Sequence, residues 1–142
     1  MHIGRSQLFV AVIALASGGG ALALGFGPIR SSVTLGQPLN LAVPVNLAEG
    51  ETLSADCASA EITAGEIRVP PSAVRVRVTQ GRDVGESVLR ITTTTVVDEP
   101  VLTVVIGAGC PTRLTRELVL LADPPLVITA VPQSLVVRVP RA

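Results

Sequence analysis

The chain has 142 residues, with eleven arginines, no lysine, eleven acidic residues and a formal net charge of zero. No basic excess points to nucleic acid or to an anionic membrane surface as a partner. Aromatic residues make up only 1% of the sequence, so a hydrophobic core must come from aliphatic side chains. Many of these are β-branched, and they suit strands better than helices.

The first 23 residues have the layout of a secretory signal peptide. Arg5 supplies a positive charge, residues 8–16 form an apolar run, and Ala21-Leu22-Ala23 is the small-x-small pattern that signal peptidase cleaves. The apolar run is shorter than the roughly 20 residues that a membrane span needs. We therefore predict cleavage after Ala23, export from the cytoplasm, and no membrane span in the exported protein. An uncleaved N-terminal anchor is the alternative.

Beyond the signal, short segments that favour strands follow one another along the chain. In chain order, extended segments are predicted over residues 28–33, 39–45, 53–57, 74–78, 88–97, 101–106 and 114–122. Strict alternation of apolar and polar residues supports 39–45 and 74–78, a run of threonines supports 88–97, and an almost unbroken apolar run makes 101–106 a central strand. Pro44 cannot donate to a ladder, so its strand is expected at a sheet edge or at a bulge. Valines alternate with Arg75 and Arg77 in residues 74–78, which predicts one buried and one solvated face. Residues 59–72 give no clear pattern.

Turns rich in glycine and proline separate these segments, and no amphipathic helical window or repeat is present. The chain is therefore predicted to be all-β. We expect a single antiparallel β-sandwich, immunoglobulin-like, of about seven to nine short strands after the signal peptide. A small β-barrel is the alternative.

The two cysteines, Cys57 and Cys110, both lie in the exported part. An isolated pair in an oxidising compartment predicts one disulfide. The alternative is half of a metal site, but the only histidine, His2, lies in the signal peptide. We therefore expect no metal and no cofactor.

The inventory of catalytic residues is sparse. The exported part has no histidine as a general base, no Gly-x-Ser-x-Gly elbow, and no glycine-rich loop that leads into a helix. Two carboxylates could act as a glycosidase pair, and five acids cluster in sequence: Glu49, Glu51, Asp56, Glu61 and Glu66. A solvated acidic loop region is the simpler interpretation. We predict that the protein is not an enzyme.

Four stretches carry a resemblance to a known family. They are Leu24-Gly25 with residues 29–32, the turn at Gln37-Pro38, the segment at Glu99-Pro100, and the closing segment from Arg116 through Asp123 and Pro124. In this order, directly after a signal peptide, they resemble the N-terminal periplasmic domain of the FimV family, the type IV pilus assembly proteins. The chain is therefore divided into a signal peptide (1–23), a β-sandwich domain (24–125) that resembles this family, and an extended C-terminal segment (126–142). The resemblance implies a location in the Gram-negative periplasm.

The resemblance also implies a function. We expect a non-catalytic periplasmic domain that binds envelope or pilus-assembly proteins through an exposed apolar or arginine-bearing patch. Structural roles are expected for the motif residues. Arg116 is expected to meet a carboxylate such as Asp98 or Glu99, and the alternative is that it docks a partner. Family members continue into a peptidoglycan-binding LysM module, which the last residues do not match. A short stand-alone relative or a truncated piece is therefore expected.

Two further functions stay open. The chain could be a secreted structural subunit that self-associates by β-strand addition, with residues 126–139 as the donor strand. An assembly chaperone of the immunoglobulin-like kind is less suitable, because such chaperones have two domains and this chain has room for one.

Overall fold

A computed structural model of the chain describes residues 24–29 and 31–127. The predicted signal peptide and residues 128–142 of the C-terminal segment lie outside the described residues. The described part of the chain forms nine strands: β1 (Gly25–Phe26), β2 (Val33–Thr34), β3 (Pro38–Asn46), β4 (Ala58–Ala64), β5 (Ile67–Arg68), β6 (Val74–Gln80), β7 (Glu86–Val96), β8 (Val101–Ala108) and β9 (Leu114–Asp123). Single 3-10 turns at Ala55–Cys57 and Pro71–Ala73 precede β4 and β6.

The strands form two sheets that pack face to face. One has the order β1-β3-β7-β6, and the other has the order β2-β9-β8-β4-β5. Neighbouring strands are antiparallel, except that β2 runs parallel to β9. The two sheets do not close on each other, so the fold is a sandwich and not a barrel. This confirms the predicted all-β, immunoglobulin-like architecture.

The core lies between the two sheets and is aliphatic. Inward-facing residues recur at every second position, because side chains of a strand alternate between its faces. The largest fully buried side chains are Leu39, Leu41, Ile62, Leu89, Ile91, Leu102, Ile106, Val43, Val45 and Val104. Complete burial of such a side chain contributes about 1.5–3 kcal/mol. Burial alone therefore favours the pairing of these two faces.

Strand β3 accommodates Pro44 without losing a bond to β7. The Pro44 carbonyl accepts a hydrogen bond from the Gly27 N–H (2.8 Å), on the side away from β7. The nitrogen of a strand residue points to the same side as its carbonyl, so the missing N–H faces the side of the short strand β1 and costs no bond to β7. The edge prediction is wrong, because β3 lies between β1 and β7 in its sheet. A bulge at Pro44 is not found either, since the irregularity in β3 lies between Pro38 and Asn40. There the buried Thr93 Oγ1 accepts from the Leu39 N–H (2.9 Å).

Other strand predictions need correction. Residues 53–57 do not form a strand: three alternating apolar residues end in the 3-10 turn Ala55–Cys57, where Cys57 donates to the Ser54 carbonyl (3.0 Å). The unclear stretch 59–72 contains β4 and β5, joined by a tight turn at Gly65, whose φ is +57°. The segment 101–106 is confirmed as the centre of its sheet, since β8 is the third strand of five.

Candidate interaction surfaces

The predicted disulfide joins Cys57 to Cys110, with their Cα atoms 5.5 Å apart. Cys57 ends a 3-10 turn just before β4, and Cys110 follows β8 by two residues. These strands are paired, with Ala58 opposite Ala108. The Gly109 N–H also donates to the Cys57 carbonyl (2.9 Å). The bond therefore fixes neighbouring strand ends at one end of the sandwich.

Gln37 and Pro38 lie where the chain passes from one sheet to the other. Gly36 takes a φ of +80°, and its N–H donates to the Val97 carbonyl (2.7 Å). Val97 in turn donates to the Gln37 carbonyl (2.8 Å). The turn is thus held to the end of β7 by a reciprocal pair of backbone bonds.

The remaining motif residues, apart from Arg116, lie at the end of the sandwich where the Gln37-Pro38 turn is found. The Pro100 carbonyl accepts from the Ala122 N–H (2.8 Å), and the Asp123 carbonyl accepts from the Leu35 N–H (2.9 Å). The Glu99 side chain packs against Gly65. Pro124 follows the last residue of β9. These contacts are mostly through the backbone, which suits a structural role at the sheet crossings.

Arg116 lies apart from this cluster. The ladder places it opposite Ile106, whereas Leu121 lies opposite Val101 at the start of β8. Five residues of strand, about 17 Å, therefore separate it from the Asp98-Glu99 segment. The expected ion pair is not formed. Within residues 24–29 and 31–127, the ion pair that is found joins Arg68 to Glu61. Arg116 is exposed on β9.

Three arginines share the outer face of the four-stranded sheet. Arg75 and Arg77 point outward from β6, and the ladder places Arg77 directly opposite Arg90 of β7. Arg90 donates through Nη1 to Asn40 Oδ1 on β3 (3.2 Å). Throughout the described part of the chain, no carboxylate lies within 4.0 Å of any of the three. We call this set, Asn40, Arg75, Arg77, Arg90 and Thr92, the arginine face.

The opposite sheet carries exposed apolar side chains on its outer face. Val101 of β8 lies opposite Leu121 of β9, and Val119 lies opposite Thr103. The exposed fractions are 41% for Val101, 62% for Val119 and 72% for Leu121. We call these three residues the apolar strip. Clustered exposed apolar side chains are typical of protein contact sites.

The apolar strip lies beside a largely unpaired strand edge. On the side away from β8, β9 pairs only with β2, through Ala122 and Asp123. The rest of that edge of β9 has no partner strand in the described structure. Apolar side chains and unpaired backbone groups therefore lie next to each other.

The sequence model of the FimV N-terminal domain, an Ig-like domain, matches residues 24–125. The chain belongs to this family. No curated protein gives a significant match. The suspected family is confirmed, and the match covers all of the described residues except 126 and 127.

A cavity of about 670 Å³ lies at the disulfide end of this FimV N-terminal domain. Its lining includes Leu24, Leu47, Leu53 and Pro111, with Glu51 and Arg113 as the charged members. Both charged side chains are engaged: Glu51 accepts from the Ala48 N–H (3.0 Å), and Arg113 donates to the Ser59 hydroxyl.

The acidic residues that cluster in the sequence do not form a catalytic pair or a metal site that can be recognised in the described part of the FimV domain. Glu61 is paired with Arg68, and Asp56 lies exposed in the 3-10 turn before β4. Across residues 24–29 and 31–127, no three His, Cys, Asp or Glu side chains come together as a metal site. Over the same residues, no helix has the length and apolarity to cross a membrane.

Sequence patterns anticipated only part of these surfaces. The alternation over 74–78 placed Arg75 and Arg77 on a solvated face, as observed. Arg90 was missed, because its position beside them depends on the β6–β7 register. The apolar strip was missed because residues 118–122 are all apolar and give no alternation. An unbroken apolar run at the edge of a sandwich is the signal that could have revealed it.

Proposed function

We propose that the chain is a non-catalytic, exported domain that binds other envelope proteins in the assembly of type IV pili or a related secretion system. Membership of the FimV N-terminal family supports the pilus-related context. The signal-peptide pattern of residues 1–23 supports a periplasmic location. The sparse set of catalytic residues supports binding rather than chemistry.

The apolar strip is the observation that carries this proposal. Val119 and Leu121 are more than half exposed, and they alternate along β9 with side chains that pack against the core: Leu118, Leu120 and Ala122. A partner that covers them removes apolar surface from water, at about 25 cal/mol per Å². The unpaired edge of β9 adds backbone donors and acceptors beside the same side chains, which suits an extended partner segment.

Photo-cross-linking in cells tests the proposal. A photoreactive amino acid replaces Val119, and captured proteins are identified by mass spectrometry. The matched control carries the same residue at Val84, which is fully exposed in the β6–β7 loop, on the other sheet. We expect pilus or secretion components in the adducts from position 119 and not from position 84. Identical adducts from both positions, or none containing such components, contradict the proposal.

A structural subunit that assembles by strand addition is the second candidate. The unpaired edge of β9 favours it, as does the exposure of Leu126 and Val127 where the chain leaves the sandwich. Self-adducts alone in the cross-linking experiment, together with SDS-resistant species of high mass, support this candidate. A monomer at all concentrations on gel filtration excludes it.

A further inference from the structure

We propose that the arginine face docks an acidic, extended segment of a partner protein, with carboxylates on alternate residues. This surface lies on the sheet opposite the apolar strip, so the inference stands independently of the proposed function. The arginine face would form a second contact, which either an envelope protein or another structural subunit could make.

The spacing of the arginines sets the spacing of the partner's carboxylates. Arg75 and Arg77 are two residues apart on β6 and point to the same face. Side chains so placed on a strand repeat about every 6.8 Å. An extended peptide repeats at the same distance when it carries a carboxylate at every second residue. Arg90 lies on the neighbouring strand, about 4.8 Å away across the sheet, and adds a third guanidinium.

The charge on this face is left uncompensated by the domain itself. All eleven acidic residues of the chain lie in the described part, and none pairs with Arg75, Arg77 or Arg90. Glu86 is the acid on the same side of β7, but its carboxylate accepts from the Arg82 N–H at the hairpin end (3.3 Å). Guanidinium groups bind carboxylates through two parallel hydrogen bonds, which adds geometric selectivity to the attraction.

The small number of arginines on this sheet face favours a protein segment over a nucleic acid as the occupant. Proteins that bind nucleic acid chiefly through phosphates use many cationic contacts, and the chain as a whole has no net positive charge. The chain's own C-terminal segment does not fit either. Residues 126–142 contain Arg138 and Arg141 and no acid, so a second copy of that segment is repelled. The C-terminal segment is therefore excluded, and the occupant that we propose is an acidic segment of a partner protein.

Peptide binding tests the inference directly. The probe is a fluorescein-labelled seven-residue peptide that alternates glutamate with valine, and its anisotropy is titrated with the purified exported chain at low salt. The comparison peptide has the same composition with a glutamate at every third position. In an extended chain, that spacing turns successive carboxylates to opposite faces. We expect the alternating peptide to bind at least fivefold more tightly, and its affinity to fall as salt rises to 0.5 M.

Variants locate the binding site. Replacing Arg75→Gln together with Arg77→Gln is expected to weaken binding of the alternating peptide about tenfold, as loss of two exposed charge pairs predicts. Arg82→Gln with Arg116→Gln removes the same charge elsewhere and should leave affinity within twofold. Circular dichroism checks that both variants fold.

Three outcomes overturn the inference: equal binding of both peptides, equal losses in both double variants, or no binding of either peptide. One further outcome would show that the partner is a lipid membrane and not a protein. If the Arg75/Arg77 variant loses binding to vesicles containing phosphatidylglycerol while the alternating peptide never binds, the arginine face is a lipid surface.

Discussion

Arg77 of β6 lies directly opposite Arg90 of β7, on neighbouring antiparallel strands. Like charges in this position destabilise a sheet, typically by a few tenths of a kcal/mol and up to about 1 kcal/mol. The chain makes no compensating ion pair with either side chain among the described residues. A cost of this kind is consistent with a surface that is retained for contact with an anionic partner.

Removing one member of this pair is expected to stabilise the domain. Arg77→Thr keeps a strand-favouring residue and relieves the repulsion, so the free energy of unfolding should rise by about 0.5 kcal/mol at low salt. Arg75→Thr is the control, because Arg75 lies opposite Thr92 and not opposite a charge. Urea denaturation at 10 mM and 500 mM salt measures both. A gain that is equal in the two variants, or that persists at high salt, contradicts the repulsion.

The disulfide is expected to contribute to stability. Cys57 and Cys110 are 53 residues apart, and closing a loop of this length stabilises a fold by about 4 kcal/mol in the loop-entropy account. Replacing both cysteines with alanine should lower the free energy of unfolding by about 2–4 kcal/mol. Denaturation of the oxidised chain with and without dithiothreitol checks this. The reductant should have no effect on the double variant, and a similar effect on both proteins excludes the disulfide as the cause.

Two glycines with positive φ are expected to differ sharply in their tolerance of alanine. Gly36 has a φ of +80° with open space where a Cβ would go, so Gly36→Ala costs only the conformational strain, about 1 kcal/mol. Gly109 has a φ of +108°, and a Cβ there meets the Thr112 carbonyl and the Leu24 side chain. Gly109→Ala should therefore cost more than 2 kcal/mol, because backbone must move as well. Similar unfolding midpoints for the two variants contradict this account.

Neighbouring leucines on β9 separate core packing from surface contact. Leu120 lies opposite the buried Leu102 and packs against the core, whereas Leu121 belongs to the exposed apolar strip. Leu120→Ala is expected to lower the free energy of unfolding by about 2 kcal/mol. Leu121→Ala should change it by less than about 0.5 kcal/mol. Chemical denaturation measures both, and a comparable loss at Leu121 shows that this residue stabilises the sandwich itself.

The sequence was sufficient where one face of a strand is buried and the other is solvated. Alternation located β3 and β6, because a slip by one residue exchanges the buried and solvated faces of a strand. Alternation does not determine the register between paired strands, because a shift by two residues keeps the same side chains on the buried face. The opposition of Arg77 and Arg90 depends on that choice, so it required the structure.

The failures have equally specific causes. Leu53, Ala55 and Cys57 alternate over too short a stretch to distinguish a strand from the 3-10 turn that is found there. The run from Leu118 to Ala122 is apolar throughout, so its pattern did not show which side chains face solvent. The expected partner of Arg116 was wrong. Strand pairing decides which side chains are neighbours, and it places Arg116 opposite Ile106, far from the Asp98-Glu99 segment.

Signal-peptide cleavage after Ala23 decides whether the mature sandwich begins at Leu24, the first residue of the family match. Signal peptidase requires small residues at the last and third-last positions of the signal, here Ala23 and Ala21. Intact-mass analysis of the chain from the periplasmic fraction is therefore expected to show a start at Leu24. Ala23→Asp should block cleavage and keep the full-length chain with the membrane fraction. Leu22→Gln changes the position between the two small residues and should leave processing intact, whereas an unprocessed wild-type chain in the membrane fraction supports the N-terminal anchor instead.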